Sequence, residues 1–303
     1  MSDVSVVIPS YNSALTIART VDSLLNQTDG PPAEIIVVDS SDDGKTPRLL
    51  QEIRKGAMTR APAIHVIHLA QQTMPAIGRN LGAKQARGPL LAFIDSDAYA
   101  ASDWIARIRE AFAQGLRVGG GSVRLPPEQR WHTIALAQYF LQFSDFLETG
   151  ARRVKPFVPS VNLFCDKQLF DELGGFPEVR ASEDVLFCLE AGKSVPVWFD
   201  PDVRVYHVFR EDFSAYLRNQ RMLGKYTLIY LRQTGATLYR GALPAFLLPA
   251  FILLKLARIV LRVVRTFDAL SMAGFVYSLP RFVPGVTSWS GGFFKAALSG
   301  ERE

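Results

Sequence analysis

The first hundred residues switch repeatedly between two hydrophobic periods, and this alternation narrows the available folds more than any other feature of the chain. Val4–Ile8, Ile35–Val38, Ile64–Leu69 and Leu90–Ile94 are short runs of β-branched and apolar residues, each predicting a buried strand. Between them, Ala14–Leu25, Pro47–Ile53 and Pro75–Ala86 carry apolar residues at helical spacing. Ser13 and Thr46 are placed to act as N-caps, and Pro47 suits a first helical position. Strands this apolar, alternating with helices, predict an α/β fold whose mostly parallel, Rossmann-like sheet is covered by helices on both faces.

From Ser102 the alternation loosens. Helices are expected over Ser102–Ala113, Trp131–Glu148, Ser182–Ala191 and Phe213–Leu231, and short strands over Val118–Leu125, Val161–Phe164, Val195–Phe199 and Val203–Tyr206. Gly119-Gly120-Gly121 would let a ligand or another strand approach closely. With no repeat and no low-complexity linker, residues 1–235 read as one unit, divided into a ligand-binding half (1–98) and a second half (99–235). Residues 236–303 form a separate segment.

That last segment changes character. Gly241–Leu254 is 14 residues without a charge, short of the ~20 needed to span hydrocarbon. Lys255, Arg258, Arg262 and Arg265 follow, within roughly 80° of one another on a helical wheel and opposite a continuous apolar face. Arg240 extends the stripe if the helix tolerates Pro244 and Pro249, and Phe267–Phe282 is again apolar around Pro280. An amphipathic helix lying on a membrane surface through residues 240–282, a true span, and packing against the chain or a second copy all fit this pattern. Over the whole chain the net charge of +5 is mild, and no basic tract interleaved with aromatics suggests a nucleic-acid surface. Cys165 and Cys188 form neither a metal nor a disulfide pattern and read as buried small apolar residues. The start, Met1-Ser2-Asp3, runs straight into a strand without a leader pattern, so a cytoplasmic location is expected.

Chemistry collects at the strand ends. Ligands of an open α/β sheet bind at the carboxyl edge of its strands. Asp95-Ser96-Asp97 follows the strand Leu90–Ile94 and offers paired oxygens suited to a hard divalent cation, and through it to a diphosphate. Pro9-Ser10-Tyr11-Asn12 follows the first strand, where Tyr11 is either part of an ordinary turn or lies against a base or ribose. Asp39-Ser40-Ser41-Asp42-Asp43-Gly44 follows the second; it is good turn chemistry, yet Asp39 could accept from a nucleobase imide or a ribose hydroxyl. A dinucleotide site is disfavoured, because no Gly-x-Gly-x-x-Gly follows the first strand. In Gly78-Arg79-Asn80-Leu81-Gly82 the two glycines suggest a close approach, and Arg79 could hold the Asp cluster or a phosphate. Glu183 and Asp184 suit either the first turn of a helix capped by Ser182 or the removal of a proton from a nucleophile. His207 is either structural or a third metal ligand.

Seven segments in order resemble the family 2 glycosyltransferases of the GT-A fold: Val4–Asn12, Ile35–Ser41, Gly78–Gly82, Phe93–Asp97, Gly174-Gly175-Phe176, Glu183-Asp184 and Val205–His207, together covering roughly residues 4–210. The resemblance implies a GT-A type α/β fold with C-terminal amphipathic helices. It implies that Pro9, Tyr11 and Asn12 border the nucleotide, that Asp39 binds the base with Ser41 nearby, and that Arg79 supports the nucleotide pocket. Asp95, Ser96 and Asp97 would hold the ribose and a Mn²⁺ or Mg²⁺ ion on the diphosphate, Asp97 being the direct ligand and His207 a further metal contact. Asp184 would be the catalytic base of an inverting enzyme, with Glu183 beside it. Asp39-Ser40-Ser41 stands where the family usually reads Asp-Asp-Gly-Ser, and the Gln-x-x-Arg-Trp signature of processive synthases is absent, which points to transfer of a single sugar.

The expected activity is therefore inverting transfer of one sugar from a UDP-, GDP- or TDP-sugar to an acceptor hydroxyl. A lipid-linked glycan at the cytoplasmic face of a membrane, in cell-envelope polysaccharide or glycolipid assembly, fits the basic apolar tail. Oligomeric state is left open. The rival readings are a nucleotidyltransferase acting on a sugar phosphate and a non-catalytic membrane-associated scaffold.

Overall fold

The computed structural model describes residues 4–57, 62–147, 150–233, 237–266 and 268–299. The expected boundary at 235–236, Glu148 at the end of the expected long helix, and Phe267 lie outside the described residues. The chain divides into two units, one of Met1–Arg124 with Gly150–His207, the other of Leu125–Thr149 with Val208–Glu303. The division thus passes through the stretch 99–235 that sequence reads as continuous.

The first unit carries a nine-stranded sheet among the described residues. Its parallel part is β1 (Val4–Ser10), β2 (Glu34–Asp39), β3 (Ala63–His68) and β4 (Leu90–Phe93), ordered β3-β2-β1-β4. The connecting helices are α1 (Ile17–Leu25), α2 (Lys45–Ala57) and α3 (Pro75–Gln85). β1, β2 and β4 are buried almost throughout, as strands covered on both faces must be. Past β4 the sheet becomes mixed: β5 (Ala98–Ala100), α4 (Trp104–Ala113), β6 (Val118–Arg124), β7 (Arg153–Val154), β8 (Leu163–Asp166), α6 (Lys167–Glu172), α7 (Glu183–Ala191) and β9 (Val197–His207), with α5 (Thr133–Phe143) belonging to the other unit. β8 runs antiparallel to β4 and β6, while β9 is parallel to β6 and antiparallel to β5. The strands expected at Val195–Phe199 and Val203–Tyr206 are one strand, β9, whose register against β6 shifts between Gly121 and Ser122 and so takes up Pro201.

The glycines of β6 serve neighbouring backbone rather than a ligand. A side chain on Gly120 would strike the Asn162 carbonyl, and one on Gly121 the Val203 carbonyl. Gly82 likewise lets α3 lie on Val7 of β1. Two expected caps are corrected. Asp43, not Thr46, caps α2, accepting from the Lys45 and Thr46 amides and the Thr46 hydroxyl. Ser182 precedes α7 in the left-handed region (φ 71°) with no side-chain cap bond. The helix expected from Ala14 begins at Ile17, with the Ser13 carbonyl accepting its first amide. Both cysteines are buried and unpaired, and burial pushes the Cys188 thiol up to about 12.

The second unit is helical: α5 (Thr133–Phe143), α8 (Phe213–Gln233), α9 (Leu243–Arg265) and α10 (Ala269–Ser299). Its core includes Phe140, Tyr216, Ile259, Val263, Phe282, Trp289 and Phe293. α8 and α10 meet at glycines, since side chains on Gly224 and Gly292 would strike the Trp289 and Arg221 carbonyls. α9 takes Pro244 in its first turn and runs on through Pro249. Among the described residues no helix is long and apolar enough to cross a membrane. The basic stripe of α9 is turned otherwise than a lipid-facing helix requires of it. Lys255 lies against the Trp289 ring at 4.8 Å, and burial, then Arg262, push it down to about 8. Arg262 pairs with Asp145 at 2.5 Å. The exposed face is instead apolar, formed by Phe246, Leu253, Leu254, Val260, Leu261 and Val264, with Arg258 and Arg265 exposed at its flank.

Candidate active site

All the site residues singled out from sequence lie in the first unit, at the carboxyl edge of its parallel strands or beside it. β4 ends at Phe93 and releases Asp95-Ser96-Asp97 into a turn that β5 closes. β5 pairs with β9 in a register that sets Ala98 opposite His207. This pairing brings His207 Nε2 to 3.5 Å from Asp97 Oδ1. Asp95, Asp97 and His207 each present one donor atom, all within 4.8 Å of one another. Donors around Mn²⁺ or Mg²⁺ lie about 2.1 Å from the ion, hence up to ~4.2 Å apart, so small side-chain rotations suffice. Two carboxylates and an imidazole also suit Mn²⁺ chemically. The residues fit a divalent ion.

The turn is pinned from below. The Thr20 hydroxyl of α1 reaches the carbonyls of Ala98 at 2.6 Å and Ser96 at 3.1 Å. Ser96 itself is buried, and its contact here is made by its backbone. The Ser23 hydroxyl accepts from the Ala100 amide at 3.0 Å.

Arg79 is the hub between this turn and α7. It is 3% exposed, donates from Nη2 to Asp95 at 2.5 Å, and from Nη1 to Glu183 at 2.6 Å. Of the two partners open to it in sequence, the structure gives it carboxylates. Burial works against the guanidinium's charge, but Asp95 and Glu183 outweigh it and hold its pKa above the usual arginine value. Burial, then the neighbouring Asp184 charge, push Glu183 up to about 7 despite Arg79. Asp184 is also raised by burial, opposed by the Ser160 amide and Arg79. Its Oδ2 accepts from the Ser160 amide at 3.0 Å and its Oδ1 from the Val185 amide at 2.8 Å, which fixes the carboxylate's direction. A buried carboxylate with a raised pKa, held in one orientation, can act as a general base near neutrality.

Gly174-Gly175-Phe176 holds α3 in place. The Asn80 amide donates to the Phe176 carbonyl and accepts from the Phe176 amide, both at 2.8 Å. Gly175, at φ 77°, passes so close that a side chain would meet Asn80 Oδ1 at 2.7 Å. Phe176 then packs edge-on to Phe93, just before Asp95.

At the far end of the edge, Asp39 is fully buried. Its Oδ1 accepts from the hydroxyls of Ser10 (2.8 Å) and Ser41 (2.6 Å), and its Oδ2 meets His68 Nδ1 at 3.1 Å. Ser41 Oγ in turn accepts from the Asn12 amide at 2.7 Å. Asn12 takes the left-handed conformation (φ 51°), which Asn tolerates, and its side chain binds the 42–43 turn. The Tyr11 hydroxyl reaches Asp42 at 3.2 Å, and its ring is 39% exposed. Pro9 packs against Gly78 of α3, where a side chain on the glycine would meet its Cβ at 3.4 Å. Sequence reasoning missed Thr20, Asn80, Ser160 and His68. Thr20 and Ser160 have no local signal; Asn80 lay inside the segment Gly78–Gly82 without a role of its own, and His68 was readable as lying near the end of the expected strand Ile64–Leu69.

Comparison with known proteins agrees with this geometry. The family model described as Glycosyl transferase family 2 matches residues 5–172. The glycosyltransferase AglE of Haloferax volcanii is 26% identical over 228 residues, 73% of this chain and 72% of that protein. The succinoglycan biosynthesis protein ExoO of Rhizobium meliloti is 36% identical over 38% of this chain, and the match spans only 32% of ExoO. Among solved structures, the mannosyltransferase PcManGT of Pyrobaculum calidifontis, in complex with GDP-Man and Mn²⁺, aligns with a TM-score of 0.62 at 20% identity, covering 99% of this chain and 88% of that one. GalNAc-T7 with UDP, GalNAc and Mn²⁺ aligns with a TM-score of 0.53 at 18% identity, covering 69% and 44%. These likenesses show the GT-A glycosyltransferase fold. The chain belongs to glycosyl transferase family 2. Membership selects glycosyl transfer over nucleotidyl transfer and over a non-catalytic scaffold.

Proposed function

We propose that the chain moves a single sugar, with inversion, from a nucleoside-diphosphate sugar to an acceptor hydroxyl. The observation that carries this reading is the link through Arg79 between a candidate cation site, Asp95–Asp97–His207, and a pair of raised carboxylates, Glu183–Asp184. Asp95, Asp97 and His207 would hold Mn²⁺ or Mg²⁺. When bound, the ion supplies charge neutralisation to the departing diphosphate. Asp184, oriented by the Ser160 and Val185 amides, takes the proton from the acceptor hydroxyl as its oxygen attacks the anomeric carbon. Arg79 fixes Asp95 and Glu183, and so sets the donor arm against the base arm. Tyr11, Asn12 and the Asp39 cluster border the nucleoside, with Pro9, Ser41 and Ser96 shaping the floor.

The solved neighbours carry GDP-Man or UDP with Mn²⁺, which favours Mn²⁺ and a guanosine or uridine donor here as well. The relatives include proteins named for succinoglycan and teichuronic acid biosynthesis, which favours an acceptor in cell-envelope glycan assembly. The exposed apolar face of α9, flanked by Arg258 and Arg265, supports docking of the second unit on an anionic cytoplasmic membrane surface and hence a lipid-linked acceptor. Asp184→Asn tests the assignment. Transfer should fall about 10²–10⁴-fold while donor binding with Mn²⁺ stays near wild type. Unimpaired turnover would overturn it.

A further inference from the structure

We infer that a line of four stacked side chains, Arg19–Tyr99–Tyr206–Arg124, places His207 at the candidate cation site, which makes Tyr99 and Tyr206 positioning residues for the ion. The inference rests on the cation reading above, in which Asp95, Asp97 and His207 take Mn²⁺ or Mg²⁺.

His207 owes its position to a weak element. β5 is three residues long, lies at the edge of the sheet and, among the described residues, pairs only with β9. Its register sets Ala98 opposite His207 and Tyr99 opposite Tyr206, and so brings His207 Nε2 to 3.5 Å from Asp97 Oδ1. A slip of one residue would displace His207 by about 3.3 Å along the strand, more than the ~2.1 Å between such an ion and its donors. So short a pairing has few backbone hydrogen bonds with which to resist slipping. Cross-strand side-chain pairs must supply the rest.

Those pairs form one line across β6, β9 and β5. The Tyr99 and Tyr206 rings are stacked, 4.8 Å between centroids and 10° between planes. Arg124 stands opposite Tyr206 in the register of β6 on β9, lies 5.9 Å over its ring and donates to its hydroxyl at 3.3 Å. At the other end the Arg19 guanidinium of α1 covers the Tyr99 ring at 3.6 Å. The rings face each other, so each offers its outer side to a cation. Beside Arg19, Thr20 bonds the carbonyls of Ser96 and Ala98, so α1 holds the turn and the strand together. Successive side chains of a strand alternate between faces, so the tyrosines point away from the face that carries His207. They act on the ion only through the register. Both are half-buried and stand outside the buried core, so their loss bears on the register more than on folding.

The test titrates Mn²⁺ into the full chain and follows it by electron paramagnetic resonance. Spin-echo spectra of the bound ion read the nitrogen of a coordinated imidazole. The wild type should bind Mn²⁺ and show that nitrogen, and His207→Ala should lose it. Tyr99→Leu keeps apolar bulk without the ring; it should weaken Mn²⁺ binding about tenfold, the low end for groups that orient metal ligands, and lose the nitrogen signal. Tyr99→Phe keeps the ring and should stay within about twofold of the wild type, nitrogen included. Leu50→Ala, a truncation in the core of α2, controls for stability: it should lower the unfolding midpoint and leave Mn²⁺ affinity and the nitrogen signal unchanged. The inference falls if Tyr99→Leu keeps both readouts, if Tyr99→Phe loses as much as Tyr99→Leu, or if Leu50→Ala weakens Mn²⁺ as much as Tyr99→Leu does. A wild type that binds Mn²⁺ without the nitrogen removes His207 from the site and overturns it as well. A wild type that binds no Mn²⁺ overturns the cation reading itself, and the inference with it.

Discussion

Asp95 and Glu183 are bonded to one guanidinium: Arg79 donates to the first at 2.5 Å and to the second at 2.6 Å. A planar fork with donors on two sides is what this bridge requires, and an ammonium cannot reproduce it. Removing the fork leaves two carboxylates without their cation, one of them buried. Arg79→Ala should cost about 3–5 kcal/mol in denaturant unfolding, and Arg79→Lys should recover less than half of that. A wild-type midpoint in Arg79→Ala would show that the bridge carries no stability.

The same bridge predicts a pH dependence. Glu183 rises from an ordinary value of 4.5 to about 7 in the folded chain. A group whose folded pKa is raised stabilises the fold below its unfolded pKa and loses that contribution as pH climbs through the folded one. Stability from this site should therefore fall between about pH 4.5 and pH 7, by on the order of 3 kcal/mol. Glu183→Gln should flatten the difference across that window. Parallel wild-type and variant curves would contradict it.

Thr20 holds the Asp95–Ala98 turn through two carbonyls and makes no contact with the donor atoms themselves. Thr20→Val keeps the shape and removes the hydroxyl, at a cost of about 1–3 kcal/mol for the carbonyls left buried. A loosened turn should raise the Mn²⁺ concentration for half-maximal turnover several-fold, with Asp97→Asn and His207→Ala raising it further. Unchanged Mn²⁺ dependence in Asp97→Asn would remove that residue from the ion site.

The outward face of α9 can be tested on vesicles. Leu253→Glu with Val264→Glu places charge on exposed apolar positions and should abolish co-sedimentation with anionic vesicles at constant unfolding midpoint. Lys255→Ala, at a side chain packed on Trp289, should lower stability with little effect on vesicle binding at equal folded concentration. The reverse ranking would show that the stripe, not the apolar face, meets the lipid.

What sequence made legible was whatever each segment could state alone. The parallel strands, their helices and the acidic turns at the carboxyl edge all announce themselves by period and by polar residues after apolar runs. β5 did not, because Ala98–Ala100 is too short to show a period and exists only through its pairing with β9. Pro201 broke the pattern of β9, and the shifted register on β6 is a property of two strands together. A helical wheel sorted the cations of α9 onto one side but could not say which side turns inward, since that depends on Trp289 and Asp145 elsewhere in the chain. Asp39 was legible as a carboxylate at a strand end; that it would be sealed beneath His68 was not.

The clasp between Asn80 and Phe176 sets a lower limit on how short a working fragment can be. The family match stops at 172, yet the partner of the Asn80 amide, the second carboxylate of Arg79 and the imidazole beside Asp97 all come after it. A chain ended there would keep the parallel strands β1 to β4 and both aspartates of the β4 turn. It would also hold a buried cation with one partner removed and a helix, α3, without its clasp to Phe176. Such a fragment should collect as an insoluble product on expression, and the shortest one worth isolating must run past His207.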